Sequence, residues 1–213
     1  MDANDFTKLL LGKDLRTIGQ NNIVIRAVKD QKSFDELFRL IFHHERPIVM
    51  RVADAVEKLT VKHPEYLKSH KSQLLRALKS ADHKELKWHI AQLITRVDLN
   101  RKELEDVWHI LTYWTQNKNE SRIVRVNSLQ GLFDLSRLHP EFRKDFDKTV
   151  ATIEREGVPS IRARIRRIGE CPSRSPDASG LRLAKRGRPQ RNAPSNLRFR
   201  CLQIDAWHAR YLQ

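Results

Sequence analysis

The stretch "LTVKHPEYLK" at residues 59–68 is written again as "LSRLHPEFRK" at 135–144. Leu59 corresponds to Leu135, Thr60 to Ser136, His63-Pro64-Glu65 to His139-Pro140-Glu141, Tyr66 to Phe142 and Lys68 to Lys144. The offset is 76 residues, twice 38. A shift of 38 places Ile48 on Leu86, Val52 on Ile90, Val56 on Ile94, Leu59 on Val97, Glu65 on Glu103 and Tyr66 on Leu104. A second shift places Leu86 on Val124, Ile94 on Leu132, Val97 on Leu135 and Leu104 on Phe142. One unit is therefore repeated. A unit of this size cannot bury its own apolar face, so copies must stack. Stacking imposes a common register every ~40 residues.

The spacing of apolar residues says what the unit is. In "SFDELFRLIFHHE" (33–45), Phe34, Leu37, Phe38, Ile41 and Phe42 fall on one face of a helix, and Ser33 with Glu36 predicts a capping box. In "ERPIVMRVADAVEKLTVKH" (45–63), Ile48, Val49, Val52, Val56 and Leu59 form the next stripe, with Pro47 in a first turn that tolerates its missing N–H. Leu74, Leu75 and Leu78 mark a short helix. Leu86, Ile90, Leu93, Ile94 and Val97 mark another, opened by Asp82 with Glu85. Leu104, Val107, Trp108 and Leu111 follow Asn100 with Glu103. Ile123, Val126, Leu129, Leu132 and Phe133 come next. Phe142, Phe146, Val150 and Ile153 then run to a stop at Gly157, and Ile161, Ile165 and Ile168 close the series. Residues 1–19 read as a short capping helix stopped at Gly12. No segment alternates with period two. The fold class predicted is all-α, a solenoid of about four two-helix repeats.

Composition changes near residue 169. Residues 1–168 hold 32 Lys+Arg against 23 Asp+Glu, whereas 169–213 hold 9 against 3, eight of the nine being arginine. Four of the eight prolines fall within "CPSRSPDASGLRLAKRGRPQRNAPS" (171–195), which lacks apolar periodicity. The domains expected are a helical-repeat domain at 1–168 and a disordered basic tail at 169–213. The same abrupt change is what a shifted reading frame would produce, so the tail also reads as sequence that has not been selected.

At this point the chain resembles the HEAT-repeat family of α-solenoids over roughly residues 20–168. That family's second helix carries Val-Arg followed by small and apolar residues. "IVRVNSLQGL" (123–132) fits with Val124-Arg125; "LKWHIAQLI" (86–94) gives Leu86-Lys87, and "SIRARIRRI" (160–168) gives Ile161-Arg162. The first copy, "IVMRVADAV" (48–56), departs from it, with Arg51 one step late. The resemblance implies binding by an extended surface lined by second helices and leaves the partner open.

The formal net charge of +15 makes an anionic partner worth testing. Arg51 and Lys58, Lys84 and Lys87, Arg122 and Arg125, and Arg162, Arg164, Arg166 and Arg167 fall on successive second helices. Lys87, Arg125 and Arg162 recur 38 and 37 residues apart, as a ladder facing an anionic polymer would. The resemblance implies an alternative, in which the arginine after the valine pairs with an acid of the neighbouring repeat. Asp82 and Glu120 stand near the turns for that role. Both readings of Lys87 and Arg125 stay open, whereas the four arginines of 162–167 exceed any nearby supply of acids. In the tail, Arg186-Gly187-Arg188-Pro189 resembles the core of an AT-hook, whose arginines enter a narrow minor groove.

The aromatic and histidine residues raise two further chemistries. Helical-repeat alkylpurine DNA glycosylases use exposed tryptophans and an aspartate, and Asp106, Trp108, Tyr113 and Trp114 share one segment. Trp108, however, lies on the apolar stripe with Leu104 and Leu111, and Trp114 points elsewhere. Trp88, off its own stripe, is either a groove aromatic or a contact between repeats. Among nine histidines only His44-Glu45 makes an adjacent His-Glu pair and no two stand at i, i+4, so no metal is assigned. Two cysteines, Cys171 and Cys201, make neither a disulfide framework nor a cysteine zinc site. No glycine-rich phosphate loop, signal peptide or membrane-length apolar run is read.

The chain is therefore expected to be a cytoplasmic, monomeric, non-enzymatic scaffold without cofactor, binding a protein partner. Nucleic-acid binding through Arg51, Lys87, Arg125, Arg162, Arg164, Arg166, Arg167, Arg186 and Arg188 is the alternative, and a glycosylase the third reading.

Overall fold

A computed structural model describes residues 1–11 and 20–170. Every regular element among them is an α-helix or a 3-10 turn. The helices are α1 (Ala3–Leu10), α2 (Gln20–Ala27), α3 (Gln31–Arg39), α4 (Arg46–Lys62) and α5 (Lys71–Ser80), then α6 (Lys84–Leu93), α7 (Arg101–Gln116), α8 (Arg122–Leu138), α9 (Arg143–Glu154) and α10 (Pro159–Gly169). Consecutive helices pair, and the pairs stack. The second helices α2, α4, α6 and α8 pack each on the next, as do the first helices α5, α7 and α9.

The doubled motif folds the same way twice. His63 ends α4 at φ −128°, ψ 64°, and His139 ends α8 at φ −130°, ψ 83°. Each donates its backbone N–H to the leucine four residues back, Leu59 O at 3.0 Å and Leu135 O at 2.8 Å. Each is followed by a 3-10 turn opened by its proline, Pro64–His70 and Pro140–Phe142. Leu59 and Leu135 are both buried. The equivalence predicted from the sequence is thus a structural one.

The stripes form the core. Phe34, Leu37 and Phe38 of α3 and Val52 and Val56 of α4 have no exposed surface, nor have Ile90 of α6, Val107 of α7 and Leu132 of α8. At about 25 cal/mol per Å² of apolar surface removed from water, such side chains supply most of the cohesion. Gly131 of α8 sets the closest approach. A Cβ there would lie 2.7 Å from Ala91 O of α6 and 3.1 Å from Leu111 Cδ1 of α7. Gly157, at φ 72°, reverses the chain between α9 and α10, in a conformation other residues rarely adopt.

Several local expectations need correction. The capping box of α3 is formed by Asp30 and Ser33, one turn earlier than Ser33 with Glu36. Asp30 accepts the Ser33 N–H at 2.8 Å. Helix α6 begins after His83 with no side-chain cap, so Asp82 does not cap it. Phe42 belongs to the 3-10 turn Leu40–Phe42 that follows α3, and the tightened turn swings its ring off the stripe, 46% exposed. Val97 likewise follows the turn Ile94–Arg96 and lies outside α6. Helix α2 was not anticipated. Its eight residues carry no acidic first turn and only a weak stripe. Of the tail expected at 169–213, Gly169 ends α10 and residues 171–213 lie outside the described residues, as does Gly12.

Candidate functional site

The second-helix cations divide into an enclosed set and a free set. Arg51 of α4 is 1% exposed and donates Nη1 to Leu10 O of α1. Lys58, two turns on, pairs with Asp54 at 2.7 Å, and Asp54 also accepts from Asn21 of α2. Lys87 Nζ of α6 lies 2.6 Å from Glu120 Oε2, at the entry to α8. Arg125 of α8 is 4% exposed; it donates Nε to Thr115 O at 2.9 Å and Nη2 to Glu156 at 2.7 Å. Arg164 of α10 is buried and donates to Gln130 Oε1 of α8 at 2.8 Å. Burial pushes its guanidinium down to about 10, Arg167 adding to the effect and Asp134 opposing it.

These contacts tie one repeat to the next. Arg46–Glu85, Lys71–Glu103, Arg101–Glu141 and His70–Asp35 do the same, at 2.7, 2.9, 2.9 and 2.7 Å. The pairings have an electrostatic signature at two of the acids. Burial tends to raise the Glu85 carboxyl, but the hydrogen bond from Arg46, a backbone hydrogen bond and the charges of Arg46 and Lys84 together outweigh it, and the net movement is downward. The hydrogen bond from Lys71 likewise lowers Glu103. The expected anion-facing ladder of Lys87, Arg125 and Arg162 is therefore not what the structure assembles. Lys87 and Arg125 are turned inward to acids, the arrangement the family resemblance implied, and Glu120 is the acid for the first of them. Arg51 and Arg164 are enclosed as well.

Lys84 and Arg122 stay exposed, one at the start of α6 and one at the start of α8, and Arg162, Arg166 and Arg167 remain. All three are exposed on α10, and no ion pair among the described residues involves them. Arg162 and Arg166, one turn apart, line an open depression with Glu154, Gly157 and Pro159. Arg186 and Arg188 lie outside the described residues.

One cluster escaped the sequence reading. Arg96 reaches back from the 3-10 turn after α6 to α4, where it bonds Glu57 O at 2.7 Å, Thr60 Oγ1 at 2.6 Å and Glu57 Oε1 at 2.6 Å. On α8, Gln130 donates to Asp134 Oδ1 at 3.0 Å while accepting from Arg164. Burial raises Asp134 to about 6, against Gln130 and the charges of Arg164, Arg96 and Arg137. A signal existed, since Lys58, Arg96 and Asp134 recur 38 residues apart. The change of sign at Asp134 hid the equivalence.

Among the described residues the aromatic side chains do not form a clamp. Trp88, Trp108 and Trp114 are all buried, and Trp108 packs on Phe142 with centroids 4.6 Å apart. Asp106 is bound by Lys79 at 2.9 Å, a hydrogen bond that lowers its carboxyl. His43, His44 and Glu45 bring three donor atoms within 4.8 Å of one another. There the Glu45 N–H already donates to His43 Nδ1 at 3.0 Å, and the two rings stack. These are contacts of a turn entering α4. Among the described residues no helix is long and apolar enough to cross a membrane.

Helix pairs stacked in a common register and stapled by ion pairs define an α-solenoid. The chain belongs to the HEAT-repeat family: a model described as "HEAT repeat domain" matches residues 10–170. No match was found among curated proteins or solved structures. HEAT repeats as a class are binding scaffolds for protein partners.

Proposed function

We propose that this protein is a monomeric, cytoplasmic, non-enzymatic scaffold whose solenoid surface holds one protein partner. The observation that carries it is the disposition of charge. The interior cations are satisfied within the stack by acids about one repeat away. Among the exposed second-helix cations, Arg162, Arg166 and Arg167 cluster on α10, whereas Lys84 and Arg122 stand singly on α6 and α8. Scaffolds of stacked repeats bind through such continuous surfaces without catalytic groups. The nucleic-acid alternative loses four of its cations to internal contacts: Arg51, Lys87, Arg125 and Arg164. A protein that holds a duplex non-specifically makes roughly 6–10 phosphate contacts, and log K falls about 0.9 per phosphate per decade of salt.

The test pairs two measurements on the full chain. Fluorescence polarisation with duplex DNA at two salt concentrations is expected to show weak binding with a shallow salt slope. Cross-linking of the tagged protein in native cells is expected to capture one protein whose cross-links persist after nuclease treatment. Tight, steeply salt-dependent DNA binding together with nuclease-sensitive cross-links overturns the reading.

A further inference from the structure

We propose that the outer face of α10, carrying Arg162, Arg166 and Arg167, docks an acidic segment of a partner protein, and that its ligand chemistry is carboxylate. This deepens the scaffold reading and rests on it. Helices α7 and α9 balance charges along the helix, and α5, which also lacks an acid, has Lys71 and Lys79 bound by Glu103 and Asp106 of α7. Arg101 pairs with Glu105 at i, i+4 on α7, Arg143 with Asp147 at i, i+4 and Lys148 with Asp145 at i, i+3 on α9. Helix α10 has no acid at all in "PSIRARIRRIG". Its inward stripe is Ile161, Arg164 and Ile168, all buried, so Arg162 and Arg166 necessarily share the opposite, open side. Like charges at i, i+4 are destabilising in an isolated helix. A terminal repeat needs a polar outer face for solubility. Mixed charge would meet that need without the repulsion, as α7 and α9 demonstrate.

The occupant follows from charge. The chain's own residues 169–213 carry 9 basic against 3 acidic side chains, and a second copy carries +15, so neither offers the arginines net negative charge. A foreign polyanion remains. Glu154 lines the same depression as Arg162 and Arg166. A phosphate backbone crossing it would meet that carboxylate. A peptide can place an acid against each arginine and a Lys or an N–H against Glu154. Paired carboxylates suit the planar, two-pronged guanidinium.

The experiment titrates a fluorescein-labelled peptide of alternating Glu and Ala with the full chain in moderate salt, by polarisation. The Arg162→Glu/Arg166→Glu chain is compared after circular dichroism confirms an unchanged helix signal. Reversing both charges is expected to weaken binding by at least about tenfold. Arg143→Glu, on the outer side of α9, is expected to leave it unchanged. Equal affinity of the wild-type and doubly reversed chains overturns the proposal. So does duplex DNA that competes the peptide off at sub-stoichiometric concentration and is itself weakened by the same reversal, since the occupant is then nucleic acid. Should the native partner of the cross-linking experiment be retained by the doubly reversed chain, α10 is not the dock while the scaffold reading stands. Should no protein be cross-linked at all, the scaffold reading itself fails.

Discussion

Lys87 Nζ stands 2.6 Å from Glu120 Oε2, and the same cation lies 5.6 Å from the centroid of the buried Trp114 ring. Both side chains of the ion pair are mostly enclosed, at 17% and 12% exposure. One cation thus holds α6 to the turn before α8. Lys87→Met is expected to destabilise the fold by about 1–3 kcal/mol, because Glu120 keeps its charge in a partly dry site. Urea denaturation measures this. The same variant is expected to bind the acidic peptide as the wild type does. Weakened peptide binding with unchanged stability would return Lys87 to a ligand-facing role.

Arg96 makes the most demanding contact between repeats, with three bonds to Glu57 and Thr60. The Arg96 and Glu57 side chains are 4% and 9% exposed. Removing one partner of such a pair costs about 3–5 kcal/mol, most of it the charge left behind. Arg96→Met is expected to fall in that range. Adding Glu57→Gln to it is expected to recover part of the loss. A double variant whose loss is the sum of the two single ones would show the residues to be uncoupled.

The helices were legible because burial imposes its period on the sequence. A buried stripe recurs at 3.6 residues whatever lies against it, and two copies of His-Pro-Glu marked the register. The caps were less legible. Asp30 with Ser33 and Ser33 with Glu36 are overlapping signals, and a sequence does not say which of two adjacent turns takes the bond. The free and the spent cations were only half separable. Arg164 falls on a stripe with Ile161 and Ile168, so its burial was written in the spacing. Lys87 and Arg125 find their acids 33 and 31 residues away. Whether a long side chain reaches that far depends on how repeats rotate against each other, which no local pattern encodes.

Gly131 has its Cα side against the backbone of α6. Replacing glycine by alanine within a helix ordinarily gains about 1 kcal/mol. At this position the added methyl would meet Ala91 O at 2.7 Å, and a carbonyl in a packed helix cannot rotate away. Gly131→Ala is therefore expected to lower the melting temperature, and Gly131→Val to lower it further. A rise in melting temperature for Gly131→Ala would mean that α6 and α8 separate freely and that close approach is not what holds the stack.

Asp134 gives the fold a pH dependence of definite sign. Its carboxyl, raised by burial from 3.8 to about 6, binds a proton more tightly in the folded chain than in the unfolded one. Its contribution to stability is then fully present below about pH 4 and is lost as pH rises through about 6. At neutral pH the ionised group is retained at a cost, offset in part by Gln130 and the charge of Arg164. Asp134→Asn keeps the acceptor for Gln130 and removes the ionisation. The variant is expected to match the wild type in melting temperature near pH 4 and to exceed it at pH 7, the gap opening between those values. Thermal unfolding by circular dichroism across that range measures it. Other carboxylates titrate in the same window in both chains, so only the difference between the two curves carries the result. A gap that opens in the opposite direction would show that the arginines around Asp134 stabilise its anion more than burial disfavours it.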